Sequence, residues 1–189
     1  MGNRAIIKAK GNNNKGVYLH WNGGRDSVEA FLKYCELRGF RGFDNDYGMA
    51  RFCQVAGNFF GADGLCIGVT DCVESCGDNG VYIIEGWKIV GREGFSGNVQ
   101  RMYDLEEMLI AIDQAQPTNQ QLGDYLTSKE VKRESLRVGD VVYMREPDGR
   151  YKKYTVVGIN EDGEPYVNMY CNNSMGYSEN PNNYVRSEF

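Results

Sequence analysis

Apolar residues recur at helical spacing in three segments of this chain, and each segment is predicted to form a helix. The first helix is expected over residues 26–38, where four apolar positions fall on one face. A second is expected over residues 47–60, with Gly61 placed to end it. The third begins after Asp104, a suitable N-cap residue, and its apolar stripe ends before Pro117.

Shorter runs with strand character lie around these helices. Residues 4–10 and 16–21 are separated by an Asn-rich turn and predict a hairpin, and residues 65–70 predict a single strand. A second hairpin is predicted over residues 80–91, with Glu85–Gly86 as its two-residue turn. The pattern therefore predicts an α+β fold in which three helices pack on a mostly antiparallel sheet.

The pattern changes in the last third of the chain. No long helical period follows residue 138, and turn signals at 147–149 and 161–163 separate β-rich runs. The stretch LRVGDVVYMR, followed by KYTVVGI, is similar to the opening strands of an SH3-like small barrel. We therefore expect two domains, an α+β domain over residues 1–128 and a small β-barrel-like module over residues 129–189.

Composition and charge argue against several classes of protein. The 189 residues carry 21 Lys and Arg against 26 Asp and Glu, a net charge of −5, which argues against general nucleic-acid binding. No apolar run approaches the length of a membrane span, and the N-terminal residues lack the apolar stretch of a secretory signal. We expect a cytoplasmic protein that does not contact a membrane.

The strand–turn–helix segment GVYLHWNGGRDSVEAFLKYC is the first candidate site. Asp26 or Ser27 is expected to cap the helix, and Glu29 to complete a capping box with Asp26. Free backbone N–H groups at such a helix start can hold an anion, although most turns of this kind bind nothing. The candidate ligand- or partner-binding residues of this turn are His20, Trp21, Asn22, Gly23, Gly24, Arg25 and Asp26.

A basic stretch interleaved with tyrosines is the second candidate site. Residues 129–153 carry 8 Lys and Arg against 5 Asp and Glu, whereas residues 1–128 carry 12 against 16. Aromatic and basic side chains on one sheet face can stack on and neutralise single-stranded RNA, and the alternative is an ordinary solvated hairpin. The candidate partner- or RNA-binding residues are Lys129, Lys132, Arg133, Tyr143, Arg150, Tyr151, Lys152 and Lys153.

Metal binding and catalysis receive little support from the sequence. Cys66, Cys72 and Cys76 form a cluster, but neither spacing is the CxxC pair typical of structural zinc. The single histidine, His20, lies far from them in sequence. The glycines match neither the P-loop nor the dinucleotide-binding pattern. We therefore predict no metal, no cofactor and no catalytic residues, and keep a small cysteine/histidine enzyme only as an alternative.

Several segments together resemble a group of small proteins found in phages and mobile elements of anaerobic Gram-positive bacteria. The segments are KGVYLHWNGGRDSVEAFLKYCELRGFR, YGMARFCQVAGNFFG, GVYIIEGWKIVGRE and YDLEEMLIAID, and the similarity extends into the VGDVVYM…KYTVVGI module. The group offers no catalytic residues that could be carried over. The resemblance implies an accessory gene of a phage or an integrated element.

That context implies counter-defence as the function. Accessory phage proteins of this kind often bind a host defence protein, its guide RNA or a nucleotide messenger. The expectation is an anti-CRISPR-type inhibitor of an RNA-guided nuclease of the Cas9 type, acting through protein or guide-RNA contacts. One alternative is capture of a nucleotide messenger, with Arg25 on its phosphate and Trp21 or His20 stacked on the base. Another is a structural or regulatory phage protein.

Overall fold

A computed structural model describes residues 3–12, 15–61, 66–71, 78–99, 101–131, 135–145, 151–171, 174–177 and 185–187. The chain divides into two compact units, Met1–Gln121 and Leu122–Phe189. The sequence placed the boundary a few residues later, between residues 128 and 129.

The first unit is built on a five-stranded sheet with the order β3-β2-β1-β4-β5. The strands are β1 (Ala5–Ala9), β2 (Gly16–Leu19), β3 (Ile67–Thr70), β4 (Val81–Glu85) and β5 (Lys88–Glu93). Only the central pair, β1 and β4, is parallel, and the other pairs are antiparallel. The expected mostly antiparallel sheet is thus confirmed. All five residues of β1 are buried, which is typical of a strand covered on both faces.

Three helices belong to the same unit, as the apolar periodicity predicted: α1 (Arg25–Leu37), α2 (Asp46–Phe60) and α3 (Leu105–Gln114). Asn45 caps α2 through its side chain, and Asp104 caps α3 by accepting the N–H groups of Glu106 and Glu107. These caps satisfy N–H groups that have no partner inside the helix.

Aromatic side chains join α1 to α2. Phe31 of α1 is fully buried, and its ring lies edge-on to Phe52 and Phe59 of α2 at centroid distances of 6.0 and 5.3 Å. Phe43, in the connection between the helices, packs edge-on against Phe52 at 5.3 Å. Burying one such ring contributes about 1.5–3 kcal/mol, so this cluster is a principal source of the unit's stability.

Two local predictions are wrong. The N-cap of α1 is Gly24, which has no side-chain hydrogen bond, so Asp26 and Glu29 do not form a capping box. In the second hairpin Glu85 pairs directly with Lys88, so the turn is Gly86–Trp87 and not Glu85–Gly86. Gly86 has a φ of 59°, a left-handed conformation that glycine adopts without strain.

The described residues of the second unit include six strands: β6 (Lys129–Val131), β7 (Val141–Arg145), β8 (Tyr151–Ile159), β9 (Pro165–Cys171), β10 (Ser174–Tyr177) and β11 (Val185–Ser187). They pair antiparallel in the order β10-β9-β8-β7-β11-β6. No pairing among the described strands joins the two ends of this order into a closed barrel. The SH3-like architecture therefore stays a prediction, and the mixed α+β content of the chain is confirmed.

The core of the second unit is small. It contains Val142 and Met144 of β7, Val156 of β8, Val167 of β9 and Leu136, with Tyr154 packed against them. In neither unit do the described residues contain a helix that is long and apolar enough to cross a bilayer.

Candidate binding surface

Hydrogen bonds and close backbone packing within the first unit fix the turn between β2 and α1. Asn22 has a φ of 54°, in the left-handed region that asparagine tolerates better than most residues. The N–H of Gly23 donates to the carbonyl of Asn3 at 2.8 Å, and its own carbonyl accepts the hydroxyl of Tyr82 at 3.1 Å. A Cβ on Gly23 would lie 2.7 Å from the backbone nitrogen of Ala5. This glycine is therefore explained by close backbone packing.

The buried carboxylate of Asp26 connects the start of α1 to the segment before α3. One oxygen accepts the N–H of Ser27 at 2.8 Å. The other accepts the N–H of Tyr103 at 2.8 Å and also that of Met102. Hydrogen bonds to an ionised acceptor are stronger than neutral ones, so this carboxylate fixes the backbone of Met102 and Tyr103 against α1.

Arg25 is engaged by its own helix. Its Nε donates to Glu29 at 2.7 Å, one helical turn further on. The second oxygen of Glu29 accepts from Arg101 at 3.1 Å. The predicted bidentate contact of Arg25 with a phosphate would require it to leave Glu29, and the Asp26 carboxylate places a further negative charge at the helix start. This arrangement gives the nucleotide-messenger alternative less support than the sequence suggested.

The aromatic residues at the end of β2 form a short ladder. The Tyr18 hydroxyl lies 3.0 Å from Nδ1 of His20, and the His20 ring lies edge-on to Trp21 at 5.0 Å. The Trp21 side chain is 43% exposed. The structure thus brings His20 and Trp21 together at the surface, as the sequence proposed for this turn.

A groove of about 360 Å³ lies between α1 and the start of β5, and it is called the α1 groove below. Trp87, which lines the groove, is oriented by a 3.1 Å hydrogen bond from its indole N–H to the carbonyl of Phe40. The charged side chains of α1 that line the groove alternate in sign along the helix, and Lys33 is paired with Glu36 at 2.8 Å. The groove is lined by Arg25, Glu29, Leu32, Lys33, Glu36, Trp87, Lys88, Ile89 and Leu105.

Three apolar residues with exposed side chains lie just before α3 and at its start, and we call them the apolar rim. Met102, Tyr103 and Leu105 are 70%, 48% and 49% exposed, and Leu105 also lines the groove. Neighbouring exposed apolar side chains on a fixed backbone are typical of protein-binding surfaces. Sequence reasoning missed this rim, because its position beside α1 depends on the contact of Asp26 with residues 76 and 77 positions away.

The basic stretch of the second unit is only partly described. Lys132, Arg133 and Arg150 lie outside the described residues, and for Lys129 the backbone alone is described, within β6. Lys152 and Lys153 are both exposed but, as neighbours on a strand, point to opposite faces. Lys152 lies 5.5 Å from the Tyr154 ring, and Lys153 lies 6.0 Å from the Tyr143 ring.

The rings of Tyr143 and Tyr151 in that stretch both contact the ring of Tyr125. Tyr143 is buried, and Tyr125 lies edge-on to it at 6.1 Å. Tyr125 also stacks on the half-buried Tyr151 at 3.7 Å. Because Tyr143 is buried, its ring offers little surface for stacking on a base, and its predicted role in binding stays a prediction. RNA binding through Lys152, Lys153 and Tyr151 stays a prediction.

Among the cysteines whose side chains the structure describes, Cys35, Cys53 and Cys66 have free thiols. Cys35 is fully buried, and burial raises the pKa of its thiol far above the usual range. Burial also raises the pKa of the Cys53 thiol. A raised pKa disfavours the thiolate that acts as a nucleophile, so neither residue suits covalent catalysis. Cys66 is half-buried, and Cys72 and Cys76 lie outside the described residues.

Comparison with known proteins gives no information about the function of this chain. No family model matches the chain. The curated proteins and the solved structures likewise contain no significant match.

Proposed function

We propose that this chain acts by binding a partner protein through the α1 groove and its apolar rim, and not by catalysis. The observation that carries the proposal is the buried Asp26 carboxylate, which holds Met102 and Tyr103 in place while their side chains stay exposed. A surface that is ordered before binding loses less conformational entropy on association. Aromatic residues and methionine are also enriched at protein interfaces.

The partner we propose is a host defence ribonucleoprotein, specifically an RNA-guided nuclease of the Cas9 type. The support is the resemblance of the chain to small phage and mobile-element proteins, together with a binding surface of suitable chemistry. Such an inhibitor would act in the cytoplasm of the bacterial host. The second unit, for which we retain the proposal of an SH3-like module, would add guide-RNA contacts through Lys152 and Lys153.

A cleavage assay with purified Cas9-type nucleases from several bacteria tests this function. The wild-type chain should co-purify with at least one nuclease and inhibit its cleavage of target DNA. The double variant Met102→Ala/Tyr103→Ala should weaken inhibition about 10-fold or more if these residues are anchors of the interface, because truncating an anchor residue typically costs about 2 kcal/mol or more.

Val69→Ala is the matched control. Val69 is an exposed apolar residue of β3, and β3 lies at the opposite edge of the sheet from β5. Strands are spaced about 4.8 Å apart, so this control lies almost 20 Å from β5. Absence of binding and inhibition with every nuclease would reject the nuclease proposal. Equal inhibition by the wild type and the rim variant would reject the assigned surface.

A further inference from the structure

The connection between α1 and α2 brings three arginines to one corner of the first unit. The guanidinium carbon of Arg38 lies 5.6 Å from the centre of the Phe40 ring, and that of Arg51 lies 5.8 Å from the same centre. The guanidinium carbon of Arg41 lies 5.2 Å from the centre of the Tyr47 ring. Arg41 and Arg51 are exposed, and Arg38 is half-buried. We call these three arginines and two aromatic residues the arginine corner.

Hydrogen bonds to the β4–β5 turn fix the backbone of this connection. The N–H of Phe43 donates to the carbonyl of Gly86 at 2.8 Å, and the N–H of Gly86 donates to Oδ1 of Asp44 at 3.2 Å. The indole N–H of Trp87 donates to the carbonyl of Phe40 at 3.1 Å. A ligand of the arginine corner therefore meets a main chain that is already ordered, which lowers the entropy cost of binding.

Among the residues that the structure describes, the arginines of the corner form no ion pair. Arg38 donates to the carbonyl of Gln120, and Arg51 donates to Oε1 of Gln54 at 2.6 Å, so both bond to neutral acceptors. Other cations of the first unit do form ion pairs, namely Arg4, Lys8, Lys10, Arg25, Lys33 and Arg101. The corner thus concentrates positive charge in a chain whose net charge is −5.

Two carboxylates lie in the same connection but make other contacts. Asp44 accepts the N–H of Gly86, and Asp46 belongs to the first turn of α2, where the helix dipole favours a negative charge. Like charges gathered around one ring repel each other, and a bound anion relieves that repulsion. Guanidinium groups bind phosphate through two parallel hydrogen bonds, so phosphate is a suitable anion for this corner.

We propose that the arginine corner is a binding site for single-stranded nucleic acid. Its arginines contact neighbouring phosphates, and Tyr47, which is 71% exposed, provides a ring on which a base stacks. An acidic protein segment would match the charge but would leave this ring without a role. The net charge of the chain argues against general nucleic-acid binding, whereas this site requires only a local group of cations. The inference does not depend on the proposed partner protein.

Fluorescence anisotropy with a fluorescein-labelled oligouridylate of about 16 nucleotides tests the site in the full-length chain. Binding by the wild type should weaken as the salt concentration rises. Each phosphate contact contributes about 0.7 to the slope of the logarithm of the affinity against the logarithm of the salt concentration, so Arg41→Gln and Arg51→Gln should each reduce this slope by about 0.7. Tyr47→Ala should weaken binding about 5-fold or more with an unchanged slope, because stacking on a base releases no counterion.

Arg4→Gln is the charge-matched control and should bind the oligonucleotide as the wild type does. Arg4 is paired at 2.9 Å with Asp78, which precedes β4, whereas the α1–α2 connection is bonded to the turn after β4, about 16 Å further along the strand. Circular dichroism of each variant checks that the fold is retained. No binding by the wild type, or full binding by the two arginine variants or by Tyr47→Ala, would overturn the proposal. Displacement of the oligonucleotide by polyglutamate as readily as by unlabelled oligouridylate would also overturn it, in favour of an acidic protein segment.

Discussion

Replacement of Asp26 by alanine should loosen the apolar rim and destabilise the first unit. The carboxylate accepts backbone N–H groups from Ser27, Met102 and Tyr103, and it is buried. A hydrogen bond to a charged group contributes about 1.5–3 kcal/mol. Met102 and Tyr103 are exposed enough for water to replace part of this, so we expect a loss of about 3 kcal/mol in the free energy of unfolding. That corresponds to a Tm about 10 °C lower.

Two measurements check this reasoning. Urea denaturation of the wild type and Asp26→Ala gives the free-energy difference. Native-state hydrogen exchange should show faster exchange of the Met102 and Tyr103 amides, with much smaller changes in the middle of α1.

Glu29→Ala is the matched control for Asp26→Ala. It removes a carboxylate from the same helix, but one that makes surface ion pairs with Arg25 and Arg101, and such pairs contribute less than about 1 kcal/mol. If Asp26→Ala costs no more than Glu29→Ala, or leaves the two amides equally protected, the clamp assigned to Asp26 is wrong.

Three further predictions concern packing and pH. Gly23→Ala should destabilise the fold because its Cβ would meet backbone atoms at 2.6–2.7 Å, whereas Gly57→Ala, with open space in α2, should stabilise it by about 0.5–1 kcal/mol in thermal melts. Arg4 lowers the pKa of Asp78 to about 2, so the stabilisation of the fold by this ion pair is present above about pH 4 and is lost as the pH falls through 2. Asp78→Asn should therefore flatten the dependence of the unfolding free energy on pH in this range. An unchanged dependence would contradict the prediction. Burial raises the pKa of Tyr82 to about 12, so the stabilisation of the fold by its neutral hydroxyl is present below about pH 10 and is lost as the pH rises through 12. Tyr82→Phe should be less stable than the wild type by about 1 kcal/mol at neutral pH. In alkaline unfolding experiments, however, the variant should lose less stability than the wild type as the pH rises.

The elements of the first unit could be predicted because their signals are local. Helical periodicity located all three helices to within a residue or two, and Asp104 was recognised as an N-cap from its position before the apolar stripe. The features that were missed depend on contacts between distant segments. Asp26 is a residue type that often caps helices, but its carboxylate accepts a hydrogen bond from a backbone N–H 76 residues later.

In the candidate sites, too, the local features could be predicted and the contacts between distant segments could not. Proximity of His20 to Trp21 follows from their adjacency, whereas the backbone hydrogen bond of His20 to Cys66 requires knowledge of which strand pairs with β2. Likewise, the alternation of basic and aromatic residues predicted a strand correctly, but it gave no sign that Tyr125 would pack edge-on against Tyr143. Turn register is also hard to read locally, since a shift of one residue separates Glu85–Gly86 from Gly86–Trp87.

The position of β1 has a consequence for how the chain assembles. One edge of β1 pairs with β2, which follows within a few residues, but its other edge pairs in parallel with β4, starting from Ile6 and Val81. During synthesis the hairpin of β1 and β2 can therefore form early, while the other edge of β1 stays unpaired until about sixty further residues, up to β4, have emerged. Parallel pairing over such a separation is slow, so this waiting period is the stage at which the nascent chain is most prone to aggregate.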